Sequence, residues 1–254
     1  MILNDEDKLL IRKAEDKMRI ADENYMLTST GFLSDREQSV LSENIKPLSP
    51  ELKILFFGGY DDSLRRTLVF LPEYLDLYEN SPICALRASY YRDYELSHRD
   101  FLGAILGLGL SRDAVGDILV DKTSHSADII IKNEIKDFLL SEFKTAGRAT
   151  VTLKEIPFSS LNIPAERTIT ITDTVASPRI DSIASSGFGI SREKAVTLIK
   201  SGNVFVNRVI CTSPDRSVPD GATVNASGYG KFKVYITGNT SKKGRLFIKI
   251  EKYN

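Results

Sequence analysis

The sequence predicts an α+β fold in three parts: a helical N-terminal part, a middle domain of alternating strands and helices, and a C-terminal unit of two short helices on a small sheet. Helix start signals dominate the first 50 residues. In the middle of the chain, the hydrophobic patterns predict the element order β-α-β-β-α-β. Residues 177–207 are predicted to form two helices and then a strand. We expect domains at 1–80, 81–164 and 165–254.

The N-terminal part is predicted to be a helical hairpin followed by short strands. A mixed apolar stripe from Leu9 to Met18 predicts the first helix. Ser34 and Glu37 form a capping box, which predicts the start of a second helix that ends before Pro47. The apolar runs Leu52–Phe57 and Thr67–Leu71 predict two buried strands.

The middle domain has the element order of a ferredoxin-like fold, or α/β plait, in which helices cover one face of a four-stranded sheet. RNA-recognition motifs use the other face, but the predicted strands carry no aromatic RNA-binding signature, so RNA contact is expected mainly elsewhere. The predicted strands are Ile83–Tyr90, Asp117–Asp121, Ala127–Ile131 and Ala149–Ile156, and the predicted helices are Ser97–Leu108 and Lys132–Lys144.

Three glycines, Gly103, Gly107 and Gly109, fall in the first of these helices, where each costs roughly 1 kcal/mol relative to alanine. Close packing against the sheet is the favoured explanation. A phosphate-binding loop is the alternative, although the glycines lack a following Lys-Ser or Lys-Thr pair.

Charge is divided unevenly along the chain. Residues 165–254 hold 14 of the 34 Lys and Arg but 7 of the 34 Asp and Glu, a balance of +7, and the first 164 residues hold 20 against 27, a balance of −7. This asymmetry predicts that the C-terminal part contacts a polyanion.

The composition argues against several other classes of protein. No run approaches the roughly 18 apolar residues that span a bilayer, so we expect a cytoplasmic protein without membrane contact. Cys84 and Cys211 are predicted to be small buried residues. The two histidines have no acid at a recognisable spacing, so no catalytic triad can be named, and the two distant cysteines fit no metal site of the CxxC type. No metal, cofactor or small-molecule substrate is predicted.

The C-terminal unit has the clearest local signals. A helix is predicted from Arg179 to Gly187, with the glycine as a left-handed C-cap. Ser191 is the expected N-cap of a second helix, which ends at Gly202 before a strand that begins at Val204.

Four cations, Arg179, Arg192, Lys194 and Lys200, are predicted to lie on or beside this helix pair, whose apolar residues fill its own core. A rigid positive surface suits a phosphate backbone, because neutralising phosphates releases condensed counterions. Ordinary solvated helix charges are the alternative interpretation.

This segment resembles the S4 RNA-binding domain. The resemblance implies that Arg179, Ser191, Arg192 and Lys194 face RNA and that Asp181 braces the fold. Two positions depart from the family pattern: Arg208 stands where glycine is usual, and Ser227 replaces a usual arginine. The matching residues are Ser177, Arg179, Ile180, Asp181, Ser191, Arg192, Ala195, Ile199, Gly202, Val204, Val206 and Asn207.

A predicted C-terminal hairpin adds further cations at its basic tip. These cations either contact a phosphate backbone or keep an exposed hairpin soluble. The basic charge of the whole C-terminal unit favours contact with phosphates. The complete set of candidate RNA-binding residues is Arg179, Ser191, Arg192, Lys194, Lys200, Arg208, Lys231, Lys242, Lys243 and Arg245.

Several segments in the middle and at the end of the chain form a further pattern. They are Arg99–Ala104, Leu108-Gly109, Arg112, Gly116–Ile118, Gly230–Phe232, Gly238, Lys243–Arg245 and Glu251–Tyr253. With the helical N-terminal part, they resemble the bacterial YlmH family over nearly the whole chain. That resemblance implies contact with ribosomal RNA on the large ribosomal subunit, with tRNA as a further candidate, and a role in the rescue of stalled ribosomes.

Three functions of different classes follow, the third of which is a structural role in which the middle sheet docks a protein. The first is a non-catalytic RNA-binding protein. The second is an RNA-modifying enzyme of the pseudouridine synthase or methyltransferase type, because S4 domains are often attached to such enzymes. The first 164 residues show no glycine-rich cofactor turn after a strand and no nucleotide-binding motif, which favours the first function.

Overall fold

The structure, a computed structural model, describes residues 3–163, 168–226, 228–241 and 244–253. It divides into two compact units, Met1–Pro164 and Ala165–Asn254. Residues from 1–80 and from 81–164 share a hydrophobic cluster in the first unit. The three predicted domain boundaries stay predictions, since compactness does not show which parts fold alone.

The N-terminal part of the first unit packs two helices against a small sheet of order β1-β3-β2. Asn4 and Ser34 cap the helices, each with a complete capping box, so the predicted box at Ser34 and Glu37 is confirmed. The elements are α1 (Asp5–Asn24), β1 (Thr28–Ser29), α2 (Asp35–Asn44), β2 (Leu52–Phe57) and β3 (Thr67–Pro72).

The middle of the chain is an α/β plait, as predicted. Its long strands lie in the order β5-β6-β4-β8, with β7 beyond β8, and all pairs are antiparallel. The predicted helix at Lys132–Lys144 is shorter than expected, because Asn133–Ile135 forms a 3₁₀ turn before it. The elements are β4 (Ile83–Tyr90), α3 (His98–Gly107), β5 (Val115–Asp121), β6 (Ser126–Lys132), α4 (Lys136–Glu142), β7 (Thr145–Ala146) and β8 (Ala149–Ile156).

One face of the plait sheet is covered by helices, and the other is covered in part. Leu86 and Ile129 face α3 and α4, whereas Ile83 and Ile130 face the other way and are buried with Val69 of β3. The face that RNA-recognition motifs leave open is therefore partly occupied here by residues from the N-terminal part, and it stays exposed at Ser89, Thr152 and Lys154.

The glycines of α3 do not pack against the sheet. A Cβ atom added at Gly103, Gly107 or Gly109 would meet nothing within 4 Å, so the expectation of close packing is wrong. The buried face of α3 is formed by Phe101 and Ile105 instead. Gly109 lies beyond the end of the helix with φ of +87°, a conformation that glycine adopts at little cost.

In the second unit, α5 and α6 cover one face of a sheet of order β11-β10-β12-β13-β14-β9, in which all pairs are antiparallel. Ile183 and Ile199 from the helices pack with Phe232 and Val234 of the sheet. The elements are β9 (Thr168–Val175), α5 (Ile180–Phe188), α6 (Arg192–Lys200), β10 (Val204–Val206), β11 (Val209–Ile210), β12 (Thr223–Ala226), β13 (Gly230–Thr240) and β14 (Leu246–Tyr253).

The C-cap of α5 differs from the prediction. Gly189, not Gly187, takes the left-handed conformation, with φ of +66°. Gly187 lies inside the helix because Phe232 presses against it: a Cβ atom at this position would stand 2.2 Å from the phenyl ring. Glycine at 187 therefore serves close packing, and glycine at 189 ends the helix.

Cys84 and Cys211 are both buried and unpaired by disulfides, which confirms their prediction as small core residues. Burial raises the pKa of the Cys84 thiol to about 12. Within the described residues, none of the helices has the length and apolarity needed to cross a membrane.

Candidate nucleic-acid interface

Asp181 brings two of the predicted RNA-binding arginines together. Arg179 Nη2 lies 3.1 Å and Arg192 Nη2 lies 2.9 Å from Asp181 Oδ2. The Asp181 side chain is 3% exposed, whereas those of Arg179 and Arg192 are 40% and 59% exposed. One buried carboxylate thus holds two guanidinium groups that still reach solvent.

The balance of forces on Asp181 favours its charged form. Burial by itself would raise the pKa of this carboxyl, but the hydrogen bonds from Arg179 and Arg192 outweigh burial, and the net pKa is lowered. Asp181 Oδ1 also accepts a hydrogen bond from the backbone N–H of Ser182 at 2.8 Å. The expectation that this residue braces the helix pair agrees with these contacts.

Ser191 begins α6 as predicted, and its hydroxyl oxygen accepts a hydrogen bond from the backbone N–H of Lys194 at 3.3 Å. Lys194 is exposed, and its Nζ lies 5.4 Å from the centre of the Tyr229 ring. Because residues two apart on a helix do not face each other, Lys194 points away from Arg192. Both nevertheless belong to the first turn of α6.

Lys200 is separated from these residues. It is exposed in the last turn of α6, eight residues after Arg192, which corresponds to roughly 12 Å along the helix axis. Arg179, Ser191, Arg192 and Lys194 thus lie at or beside the start of α6, with Arg179 and Arg192 joined through Asp181 and Lys194 on another side of the first turn, and we call this group the clamp surface. Lys200 lies outside it.

Arg208 occupies a tight turn between β10 and β11. Asn207 and Arg208 have φ of +51° and +66°, the left-handed region in which glycine is favoured. The Asn207 side chain accepts a hydrogen bond from the backbone N–H of Thr223 at 2.9 Å, which ties the turn to the neighbouring strand. Arg208, which replaces the glycine usual in the family, therefore has a backbone conformation that arginine rarely adopts.

Two more of the described candidates, Lys231 and Arg245, do not join the clamp surface. Lys231 lies on β13, on the face of the sheet opposite the helices, with Nζ 4.3 Å from the centre of the Tyr253 ring. Arg245 donates hydrogen bonds to the carbonyl oxygen and, at 3.1 Å, to the hydroxyl of Thr174. Lys242, Lys243 and Ser227 lie outside the described residues.

Some residues that contact the candidate RNA-binding residues, or share a surface with them, were not predicted from the sequence. Tyr229 supports Lys194 from a loop. Lys233, Tyr235 and Lys249 share the sheet face of Lys231, and the alternation of apolar and polar residues along β13 and β14 was the signal that could have identified them.

Two family models match this chain. The S4 domain model matches residues 178–224, which include the clamp surface. A model described as "Putative RNA-binding domain in YlmH" matches residues 85–160, within the α/β plait. A curated relative, "Ribosome-associated protein quality control protein P2" of Bacillus subtilis (strain 168), is 32% identical over 249 residues, which are 97% of this chain and 95% of that protein.

The chain belongs to the YlmH family. A solved structure named "Cell division protein ylmH from Streptococcus pneumoniae" shares the fold with a TM-score of 0.50 and 24% identity, and the match covers 65% of this chain and 98% of that one. The two domain models and the curated relative support an RNA-binding role for this YlmH-family chain.

Proposed function

We propose that this chain binds structured ribosomal RNA through the clamp surface and acts without catalysis on the large ribosomal subunit. Its role would be in quality control of stalled nascent chains in the cytoplasm, with tRNA as a further RNA ligand. The observation that carries the proposal is the pair of exposed guanidinium groups held by the buried carboxylate of Asp181.

The clamp surface has the electrostatics that a phosphate backbone requires. Asp181 offsets one of the two charges of Arg179 and Arg192, Lys194 adds another, and Glu193 in the same first turn of α6 opposes it, so the group and its adjacent acids keep a net charge of about +1. Guanidinium donors not used by Asp181 can contact a phosphate in a bidentate manner. The start of α6 adds the positive end of a helix dipole.

Pre-organisation of Arg179 and Arg192 increases what their charges contribute to RNA affinity. A free arginine side chain loses rotamer entropy when it binds a phosphate, and a side chain already held by a carboxylate loses less. Because Asp181 is buried in the helix pair, it fixes both guanidinium groups relative to the same rigid base.

The ribosomal part of the proposal is supported by the printed name of the Bacillus subtilis relative, a ribosome-associated quality control protein, which is similar along almost the entire chain. The non-catalytic part is supported by the two matching family models, which describe an S4 domain and an RNA-binding domain.

Neutralisation of two clamp cations tests the RNA site. We compare wild type with the double variant Arg192→Gln and Lys194→Gln, because glutamate at 192 would face Asp181 and disturb the fold. Each lost phosphate contact reduces the salt slope by about one and weakens binding to all sequences similarly, so we expect an affinity roughly tenfold lower and a slope reduced by about two. The measurement is filter binding of large-subunit ribosomal RNA fragments over a salt series.

The matched control removes two exposed lysines from the first unit, Lys13→Gln and Lys46→Gln, which lie outside the residues 85–160 that the putative RNA-binding domain model matches. It changes the net charge by the same amount but should leave RNA affinity within about twofold of wild type. An equal loss in both variants, or an unchanged affinity in a well-folded clamp variant, would contradict the site. Crosslinking in cells followed by sequencing of bound RNA tests whether large-subunit RNA and tRNA are recovered.

A further inference from the structure

The sheet of the second unit has an outer face that points away from α5 and α6. On β13, Phe232 and Val234 face the core with no exposed surface, so Lys231, Lys233 and Tyr235 face outward. On the neighbouring β14, Ile248 and Ile250 face the core, so Lys249, Glu251 and Tyr253 face outward.

Lysines and tyrosines pair systematically on this outer face. Lys231 Nζ lies 4.3 Å from the centre of the Tyr253 ring. Lys233 and Lys249 lie 5.3 Å and 5.7 Å from the centre of the Tyr235 ring. Such distances are those of cation–π contacts, which hold an ammonium group in place without neutralising its charge.

Glu251 anchors one edge of this arrangement. Lys249 Nζ lies 2.7 Å from Glu251 Oε1, and the hydrogen bond from Lys249 lowers the pKa of Glu251. Lys233 stands directly opposite Glu251 in the strand register. Three lysines against one acid leave a net charge of about +2 on the described outer residues of β13 and β14.

We propose that this lysine–tyrosine face, formed by Lys231, Lys233, Tyr235, Lys249 and Tyr253, is a second RNA contact that binds phosphate groups of the RNA backbone. The inference rests on the proposed RNA-binding function but concerns a different surface. β13 and β14 lie beyond the residues that the S4 model matches, 178–224, and on the side of the sheet opposite the clamp surface.

Charge complementarity favours RNA over protein as the occupant. Lysine is depleted at protein–protein interfaces, whereas a cationic surface with interleaved aromatic rings is typical of surfaces that follow a nucleic-acid backbone. A surface that only confers solubility would mix both signs of charge more evenly. Thr170 and Thr172 extend the face on β9 and supply hydroxyl donors for further phosphate contacts.

The test compares four full-length proteins: wild type, Lys231→Gln with Lys233→Gln, the clamp variant, and the combination of both pairs. Lys249 is left intact because its ion pair with Glu251 supports the sheet. On large-subunit ribosomal RNA fragments we expect the sheet variant to bind roughly tenfold more weakly, with a salt slope reduced by about two, and the combined variant to lose affinity nearly additively. Thermal unfolding monitored by circular dichroism checks that each variant is folded.

The outcomes separate this inference from the proposed function. If the clamp variant is weakened and the folded sheet variant binds like wild type, the second contact is refuted and the proposed function stands. If wild type binds no RNA, both fail. If the sheet variant keeps its affinity for naked RNA but no longer sediments with ribosomal subunits, the face binds protein and the inference is refuted.

Crosslinking provides a second readout that does not depend on variants. Ultraviolet irradiation of the wild-type complex followed by mass spectrometry should attach RNA to peptides that contain Tyr235 or Tyr253. Tyr74 and Tyr78 of the first unit are internal controls, since they are 66% and 69% exposed and lie outside the proposed contact. Crosslinks at the control tyrosines without any at Tyr235 or Tyr253 would also refute the inference.

Discussion

At the residue scale, Asp181 does most to determine the geometry of the clamp surface. A carboxylate that is 3% exposed would be costly to bury alone, and its ion pairs with Arg179 and Arg192 compensate for this cost. The same contacts fix the position of both arginines. Stability of the helix pair and readiness for RNA are therefore linked through one side chain.

Replacement of Asp181 by asparagine should reduce both properties. Because the arginines are 40% and 59% exposed, solvent compensates them partly, so we expect a loss of about 1–3 kcal/mol in the free energy of unfolding instead of the larger cost of breaking a fully buried pair. RNA affinity should fall although the net positive charge rises, because the guanidinium groups lose their common anchor. Chemical denaturation and filter binding measure the two effects. A gain in affinity would show that charge alone matters.

The difference in the free energy of unfolding between wild type and Asp181→Asn should depend on pH with a definite sign. The folded-state pKa of Asp181 is lowered, so its contribution to stability is complete above the ordinary aspartate pKa of about 3.9 and is lost as the pH falls through the folded-state value. The stability difference between wild type and Asp181→Asn should therefore shrink upon acidification below about pH 4. A difference that stays constant down to acid unfolding would exclude the ion pairs as its cause.

At the element scale, two helices contain glycine in opposite surroundings. In α5, Gly187 lets Phe232 of β13 pack against the helix backbone, and Phe232 has no exposed surface. In α3, Gly103 is exposed, and the space around it is open. The sequence shows the same residue type in both helices, but only the three-dimensional contacts distinguish the two roles.

Alanine substitution at these two positions should have opposite effects. Gly187→Ala should lower the free energy of unfolding by about 1–3 kcal/mol, because the added methyl group would stand 2.2 Å from the Phe232 ring and force the core to shift. Gly103→Ala should raise it by about 0.5–1 kcal/mol, because alanine favours a helix and meets no neighbour. Thermal and urea unfolding of both variants provide the measurement. Destabilisation by both would indicate that Gly103 has an unrecognised packing role.

At the scale of the whole molecule, local sequence signals predicted the helices and strands well. They did not predict the contacts between residues that are far apart in the chain. The capping box at Ser34 and the N-cap at Ser191 are encoded within a few residues, and the structure confirms them. The partial burial of the second plait face by β3 depends on contacts between residues far apart in the chain, such as Val69 and Ile130. No short sequence pattern reports such a contact.

The same distinction applies to the candidate site. The charge of Arg179, Arg192 and Lys194 could be recognised from their spacing on the predicted helices, whereas the lysine–tyrosine pairs needed the register between β13 and β14. The position of Arg208 in a left-handed turn was suggested by the glycine expected there, and the structure shows the positive φ. The sequence therefore identified the cations of the clamp surface but neither their partners nor Lys233 and Lys249 of the sheet face.

The division of charge between the two units leads to a prediction for the intact protein. Its formal net charge is zero, yet residues 165–254 carry a balance of +7. A protein with evenly distributed charge and no net charge would have little affinity for a polyanion, whereas a locally basic surface binds through counterion release. We expect the full-length protein to be retained on heparin at pH 7 and low salt. The clamp variant, Arg192→Gln with Lys194→Gln, should elute at lower salt, and the control variant, Lys13→Gln with Lys46→Gln, should elute with wild type. Passage of wild type through the column without retention would show that the basic residues of 165–254 do not act as one polyanion-binding surface.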